Sequence, residues 1–281
     1  MPRPFLCFSS LYAAIIIAAC TNAGPSSLSS SKWQLVDNFE ETADLNGWTN
    51  IDVDNQTDPF IPNPQVSIIQ TKANNSFMLR KPAAEGVIGN RKAIGFKPLP
   101  VPINTGETYT IYTRFNVESF PNNHSFGLSN LPANEVGPAN YNAFEPMIRI
   151  TDKAESDGSK NDGTLMVLSG FKTYSKIEGL ETGQSAMPLT PGEWYQVWWT
   201  VNNAPAADGG QSYDLYIQGG EFKTQTPVYT GATFRMKREA PLLHFMAISN
   251  TGSKKSPYGN GGVRYDDIYM AKGTELSTPP L

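Results

Sequence analysis

The chain has 281 residues, of which 17% are charged, and a formal net charge of −4. That balance leaves no basic footprint for nucleic acid, and the length allows one large all-β domain or two small ones. Both cysteines, Cys7 and Cys20, fall in the first twenty residues, and only His124 and His244 represent histidine. Disulfides and a multi-ligand zinc site are therefore not expected in the rest of the chain, whereas a hard oxygen-ligated ion remains compatible. The 24 Gly and 22 Pro are spread along the chain, as expected for many turns between short strands.

In chain order, the amino terminus reads first as a targeting segment. Arg3 gives a positive start, and residues 11–19 form an apolar run too short to span a bilayer. Ile17, Ala18, Ala19 and Cys20 resemble the bacterial lipobox. That implies a signal over residues 1–19, a lipid on Cys20 as membrane anchor and export across the inner membrane. Thr21 stands where an inner-membrane retention signal would carry Asp, which points to the outer membrane. Cleavage after Ala23 is the alternative and would give a freely secreted protein. Residues 20–32 are serine-rich and read as a tether. The folded domain is expected over residues 33–273, with a tail over 274–281.

The first strand is expected over 34–39, followed by a turn that carries Trp48. Residues 66–70 and 76–80 read as a strand pair, and 91–96 as a further short strand. The proline run at 98–102 argues against a central strand, since proline has no N–H to give. In 109–117, Tyr109, Ile111, Phe115 and Val117 share a face, and Tyr112, Arg114 and Asn116 share the other. Residues 121–142, rich in Asn, Pro and Gly, read as a long functional loop carrying His124 and Tyr141. Strands are expected at 146–151 and 165–170, the latter continuing to Tyr174. In 194–201, Tyr195, Val197, Trp199 and Val201 point one way and Gln196 and Trp198 the other. Tyr213, Leu215 and Ile217 face inward on the next strand. Residues 242–249 are apolar on both faces, the mark of a central strand covered on both sides. About a dozen strands and no amphipathic helix predict an all-β, antiparallel two-sheet jelly-roll sandwich.

The closing strand carries Asp266 and Asp267 side by side. Alternation would turn one inward, where a carboxylate needs a cation, a metal ion or N–H donors. A solvated edge pair that discourages aggregation is the other reading. Asp37 and Glu40 lie near the start, and pairing of the first and last strands would bring the acids together.

Three segments resemble concanavalin A-like (laminin-G-like, lectin/glucanase) jelly rolls: Asp37-Asn38-Phe39-Glu40 with Gly47-Trp48, Pro191-Gly192-Glu193-Trp194-Tyr195-Gln196-Val197, and Tyr265-Asp266-Asp267-Ile268-Tyr269. The resemblance implies a carbohydrate context. It also implies a structural Ca²⁺ held by Asp37, Glu40, Asp266 and Asp267.

Three functions remain open. A polysaccharide-binding protein would use Tyr112, Arg114, Arg149, Trp198 and Tyr216, aromatic rings and polar groups suited to a pyranose. A polysaccharide lyase acting on an acidic, uronic-acid-containing polymer would draw a base, an acid and a carboxylate neutraliser from Tyr112, Arg114, His124, Arg149, Lys172 and Tyr174. In that reading Arg114 and Arg149 lie on neighbouring strands of one polar face. The Glu-x-Asp-x-x-Glu run of related glucanases and the Gln-x-His motif of alginate lyases are absent. A scaffold lipoprotein with no glycan role is the third class.

Overall fold

The computed structural model describes residues 1, 32–40, 44–155, 158, 160–179 and 182–281. The apolar run, Cys20 and nearly all of the serine-rich tether lie outside the described residues.

The first half of the chain supplies β1 (Trp33–Asp37), β2 (Thr49–Asn55), β3 (Val66–Lys72), β4 (Asn75–Lys81), β5 (Asn90–Ile103), β6 (Thr108–Val117) and β7 (Asn123–Ser129). A short helix α1 (Ala133–Ala139) and a 3-10 turn (Asn140–Ala143) lead into β8 (Phe144–Thr151). The hairpin β9 (Met166–Gly170) and β10 (Thr173–Lys176) follows, then the small ribbon β11 (Glu178–Gly179) and β12 (Gln184–Ser185). Next come β13 (Trp194–Asn202), β14 (Ser212–Gly219), β15 (Phe222–Thr233) and β16 (Leu242–Ser249). The two-residue β17 (Gly252–Ser253) and β18 (Ser256–Pro257) precede the closing strand β19 (Val263–Lys272).

The long strands sort into two antiparallel sheets. Sheet A runs β15-β14-β13-β6-β19-β4-β3, with β1 beside β19, and sheet B runs β10-β9-β8-β7-β16-β5-β2. Early and late strands interleave, β6 with β19 and β7 with β16, so the molecule is an antiparallel two-sheet jelly-roll sandwich. The alternating residues read from the sequence build the layer between the sheets. Ile111, Phe115, Val197, Trp199, Leu215 and Ile217 of sheet A meet Phe126, Leu128, Ile148, Ile150 and Phe245 of sheet B. Phe126 sits amid this layer, 5.7 Å from Phe115, 6.1 Å from Trp199 and 5.7 Å from Tyr265, ring centre to ring centre.

Both outer faces are partly roofed. On sheet B, Val136 of α1 and Phe144 join Ile94, Phe96, Met246 and Ile248, which is why β16 is apolar on both faces. On sheet A, Trp33, Tyr112, Trp198 and Tyr269 form a second aromatic patch with Tyr216 and Leu276 against it. Residues 273–281 strap that patch down: the Trp198 indole donates to the Ser277 carbonyl (3.0 Å) and the Tyr269 hydroxyl to that of Pro280 (2.9 Å).

Three expectations need correction. The stretch read as a loop over 121–142 contains β7, buried throughout, and α1. Its Asn, Ser and Gly residues hid a strand whose small residues allow close backbone approach: a Cβ on Gly127 would lie 2.0 Å from the Pro146 carbonyl oxygen. The proline run at 98–102 does belong to a strand. β2 pairs with β5 only as far as Phe96, so beyond it the prolines have β16 on one side alone, across a register break. Finally, Asp266 and Asp267 do not split between faces. A bulge between Asp266 and Tyr269, with Asp267 at φ 48°, breaks the alternation.

Candidate functional site

A cleft of about 370 Å³ opens on the outer face of sheet B, beside the roof formed by α1. Five segments supply most of its lining. From β8 comes Arg149, nearly buried, whose guanidinium lies 4.6 Å over the Tyr174 ring and 2.7 Å from Glu155. From β7, Asn123 points to the same side, bonding Tyr141 while its Oδ1 has no partner among the described residues. The β9–β10 turn has Lys172 in the left-handed region (φ 58°), which sets Lys172 at the tip and Tyr174 one pair along. Past α1, Asn140 takes a positive φ (44°) and accepts from the Tyr141 N–H (2.7 Å), turning the chain so that Tyr141 and Asn142 line the cleft.

The fifth segment follows β15 and is shaped by a buried carboxylate. Glu145 accepts the N–H groups of Met236 (3.2 Å), Lys237 (2.8 Å) and Arg238 (3.3 Å), and pairs with the Arg238 guanidinium at 3.0 Å. That fold of the loop fixes Arg235, which donates to the Tyr174 hydroxyl (3.2 Å) and to Asn142 Oδ1 (3.3 Å). Lys92 lies 5.4 Å over the Tyr141 ring, and Lys153 lies 5.2 Å over that of Tyr258.

The charge set is lopsided. Lys92, Arg149, Lys153, Lys172 and Arg235 line the cleft, against the single carboxylate Glu155 among the described lining residues. Burial alone would raise Glu155, but Lys153, Arg149 and Asn161 hold it below its ordinary value. Burial pushes the Tyr141 phenol up to about 12 against the pull of Arg149, so it stands protonated at neutral pH. Chemically, the cleft offers cations for anionic groups, phenols as proton donors or acceptors, and amides for hydroxyls.

Of the residues singled out in the sequence, Arg149, Lys172 and Tyr174 meet here. Arg114 does not: β6 belongs to sheet A, so it lies on the opposite outer face. Tyr112, Trp198 and Tyr216 belong to the patch under residues 273–281, and the Tyr112 hydroxyl bonds Gln196. His124 points between the sheets, as alternation next to Asn123 requires. It is fully buried, its Nε2 donates to the Gly261 carbonyl (2.9 Å), and burial drives its pKa down to about 3. Asn123, Tyr141, Arg235, Lys92, Lys153 and Tyr258 were not assigned to a site from the sequence. Of these, only Tyr141 carried a signal, by its place in the suspected functional segment.

The acids proposed for Ca²⁺ do not form one site. β1 and β19 do pair, Asp37 opposite Ile268. Asp37, however, accepts from Lys97 (2.7 Å) and the Trp48 indole (2.7 Å), and Glu40 from the Ser76 N–H (2.7 Å). Asp266 and Asp267 grip the Arg114 guanidinium at 2.5 and 2.6 Å, so a side chain fills the place of a metal ion. No cluster of three or more His, Cys, Asp or Glu suited to a metal occurs among the described residues, and these four residues do not fit the ion.

No family model and no curated protein matches the chain. Solved structures similar to it include a seed lectin of Lotus tetragonolobus, at 6% identity over 86% of this chain and 99% of that one, with a TM-score of 0.46. A PL-14 alginate lyase of Aplysia kurodai shares 14% identity over 74% of this chain and 87% of its own, with a TM-score of 0.46. A GH131 β-glucanase catalytic domain of Podospora anserina shares 10% over 73% and 74%, with a TM-score of 0.43. Likeness at this level assigns neither a family nor an activity.

Proposed function

We propose that the protein recognises an acidic, uronate-containing polysaccharide in the cleft on sheet B. The observation that carries this reading is the convergence of Lys92, Arg149, Lys153, Lys172 and Arg235 on one open cavity of a chain whose net charge is −4. Evenly scattered cations would leave no such field, and clefts lined by one sign of charge concentrate ligands of the other. Tyr174 and Tyr258 supply rings for sugar C–H faces, and Asn142 and Asn250 supply amides for hydroxyls. In binding assays, Arg149→Ala and Lys172→Ala each weaken retention on polygalacturonate, polyglucuronate or alginate by about tenfold, with neutral dextran as control. Unchanged retention in both variants would overturn the cleft as the binding site.

A second reading, β-elimination, is favoured by one detail: Arg235 donates to the Tyr174 hydroxyl while Arg149 lies over the same ring. Arg235 so placed fixes the Tyr174 oxygen at the cleft. As a base it would take the C5 proton of a uronate whose carboxylate is neutralised by Arg149. The freed electron pair would form the C4–C5 double bond, the C4–O bond would break, and a phenol such as Tyr141 would protonate the departing oxygen. The unsaturated product absorbs in the ultraviolet. Growth of that absorbance on a polyuronate, lost in Tyr174→Phe, makes the protein a lyase, and retention without it makes the protein a binder.

Location belongs to the same proposal. The lipobox-like Ile17-Ala18-Ala19-Cys20 supports an exported protein anchored by a lipid on Cys20, with domain 33–273 held clear of the membrane by the tether. A Cys20→Ser protein that is processed and localised like wild type would argue for free secretion.

A further inference from the structure

A second groove, of about 520 Å³, lies on the outer face of sheet A, on the opposite side of the sandwich from the cleft. One cross-strand row forms its floor: Trp194 of β13 stands opposite Asn116 of β6, which stands opposite Arg264 of β19. Phe77 braces the indole edge-on at 5.4 Å, and Arg114 lies 5.4 Å over its ring. Arg264 takes the carbonyl oxygens of Asn116 (2.9 Å) and Gln70 (3.2 Å), and Glu118 lies 3.8 Å away. Those two amides are thereby fixed with their oxygens spent. Their NH₂ groups, the Trp194 indole N–H and the exposed Lys72 ammonium make no hydrogen bond among the described residues. None of these four donors is sealed from water. The groove is thus a half-buried indole ringed by fixed, unspent donors, with Glu118 already engaged by Lys81 at 3.0 Å.

We propose that this groove is a second glycan site, which seats a carboxylated sugar with its C–H face on Trp194 and its carboxylate toward Lys72. A donor-rich rim suits an acceptor-rich ligand, and the indole suits a pyranose face. The site shares a ligand class with the cleft but none of its residues. Because the two open on opposite faces, one short oligosaccharide does not fill both. Two sites on one molecule would let it join separate polymer chains and gain avidity on an extended one.

The test uses a cleft-disabled protein, Arg149→Ala with Lys172→Ala, titrated with oligomers of polygalacturonate, polyglucuronate or alginate. Trp33, Trp198 and Trp199 are buried and Trp48 bonds Asp37, so Trp194 is the indole placed to report a ligand in this groove. The expected result is a saturable change in tryptophan emission and continued retention. Trp194→Phe should abolish both, and the exposed change Lys72→Glu should weaken both about tenfold without altering the fold. Wild type should clump long polyuronate chains, and either single-site variant should not. The proposal is overturned if the cleft-disabled protein shows no emission change or retention with any of these polymers. It is equally overturned if its retention survives Trp194→Phe and Lys72→Glu. The cleft reading fails separately, if disabling the cleft leaves overall affinity and stoichiometry as in wild type.

Discussion

At Tyr141 burial and charge act against each other. Desolvation lifts the phenol to about 12, while Arg149 and the Asn123 amide pull it down, so at neutral pH it gives a proton rather than takes one. Asp266 shows the same contest with a larger structural consequence. Burial, with help from the neighbouring Asp267 charge, raises it from 3.8 to about 6 despite Asn75 and Arg114. Asp267 shifts the same way. The folded protein therefore holds a proton that the unfolded chain has released over that window, and stability from this group falls as pH rises from about 4 to about 6. The effect is at most about 3 kcal/mol. Asp266→Asn removes the titration, so melting temperature against pH should be flatter in the variant across that interval, while Arg114 stays paired with Asp267. A slope identical to wild type would place the raised proton affinity elsewhere.

Among the elements, legibility followed periodicity. β6, β13, β14 and β16 were readable because apolar side chains alternate or run unbroken, and each entered the core on the faces expected. β7 and α1 were not, because Asn, Gly and Pro mark turns locally while tertiary packing here overrides them. The site was legible only in part. Arg149, Lys172 and Tyr174 fall on or beside strands that the pattern identified, but the cleft also needs Arg235, set by a loop folded over Glu145, a dependence that sequence spacing does not express. Arg114 was misplaced because alternation assigns a face and not a sheet. Residues 274–281 of the strap were read as a mere tail, since their hold on Trp198 and Tyr269 runs through backbone carbonyls. Removal of the strap should bare the patch of Trp33, Tyr112 and Trp198, lower the melting temperature by several degrees and shift tryptophan emission to the red. A truncated protein with wild-type melting would show that the strap adds no stability.

For the molecule as a whole, the two sheets share one core but face the solvent with different chemistry, a cation-rich cleft on one side and a strapped aromatic patch beside a donor-lined groove on the other. A sandwich so thoroughly cross-braced, with Trp199 and Phe245 in edge contact at 6.4 Å, should hold both surfaces in fixed relation. Lys32 meets Glu275 at 3.1 Å and the Trp33 indole meets Ser277 at 3.4 Å, so the beginning and end of the folded unit adjoin. Its backbone is close to a ring that happens to be cut there. A short linker joining the two ends, with new ends opened in the exposed turn at Ala206–Asp208, moves the cut to the far end of β13 from Trp194. Such a rewired chain should fold to the same sandwich and keep both the cleft and the groove intact, because order along the chain would change while every strand neighbour stays the same.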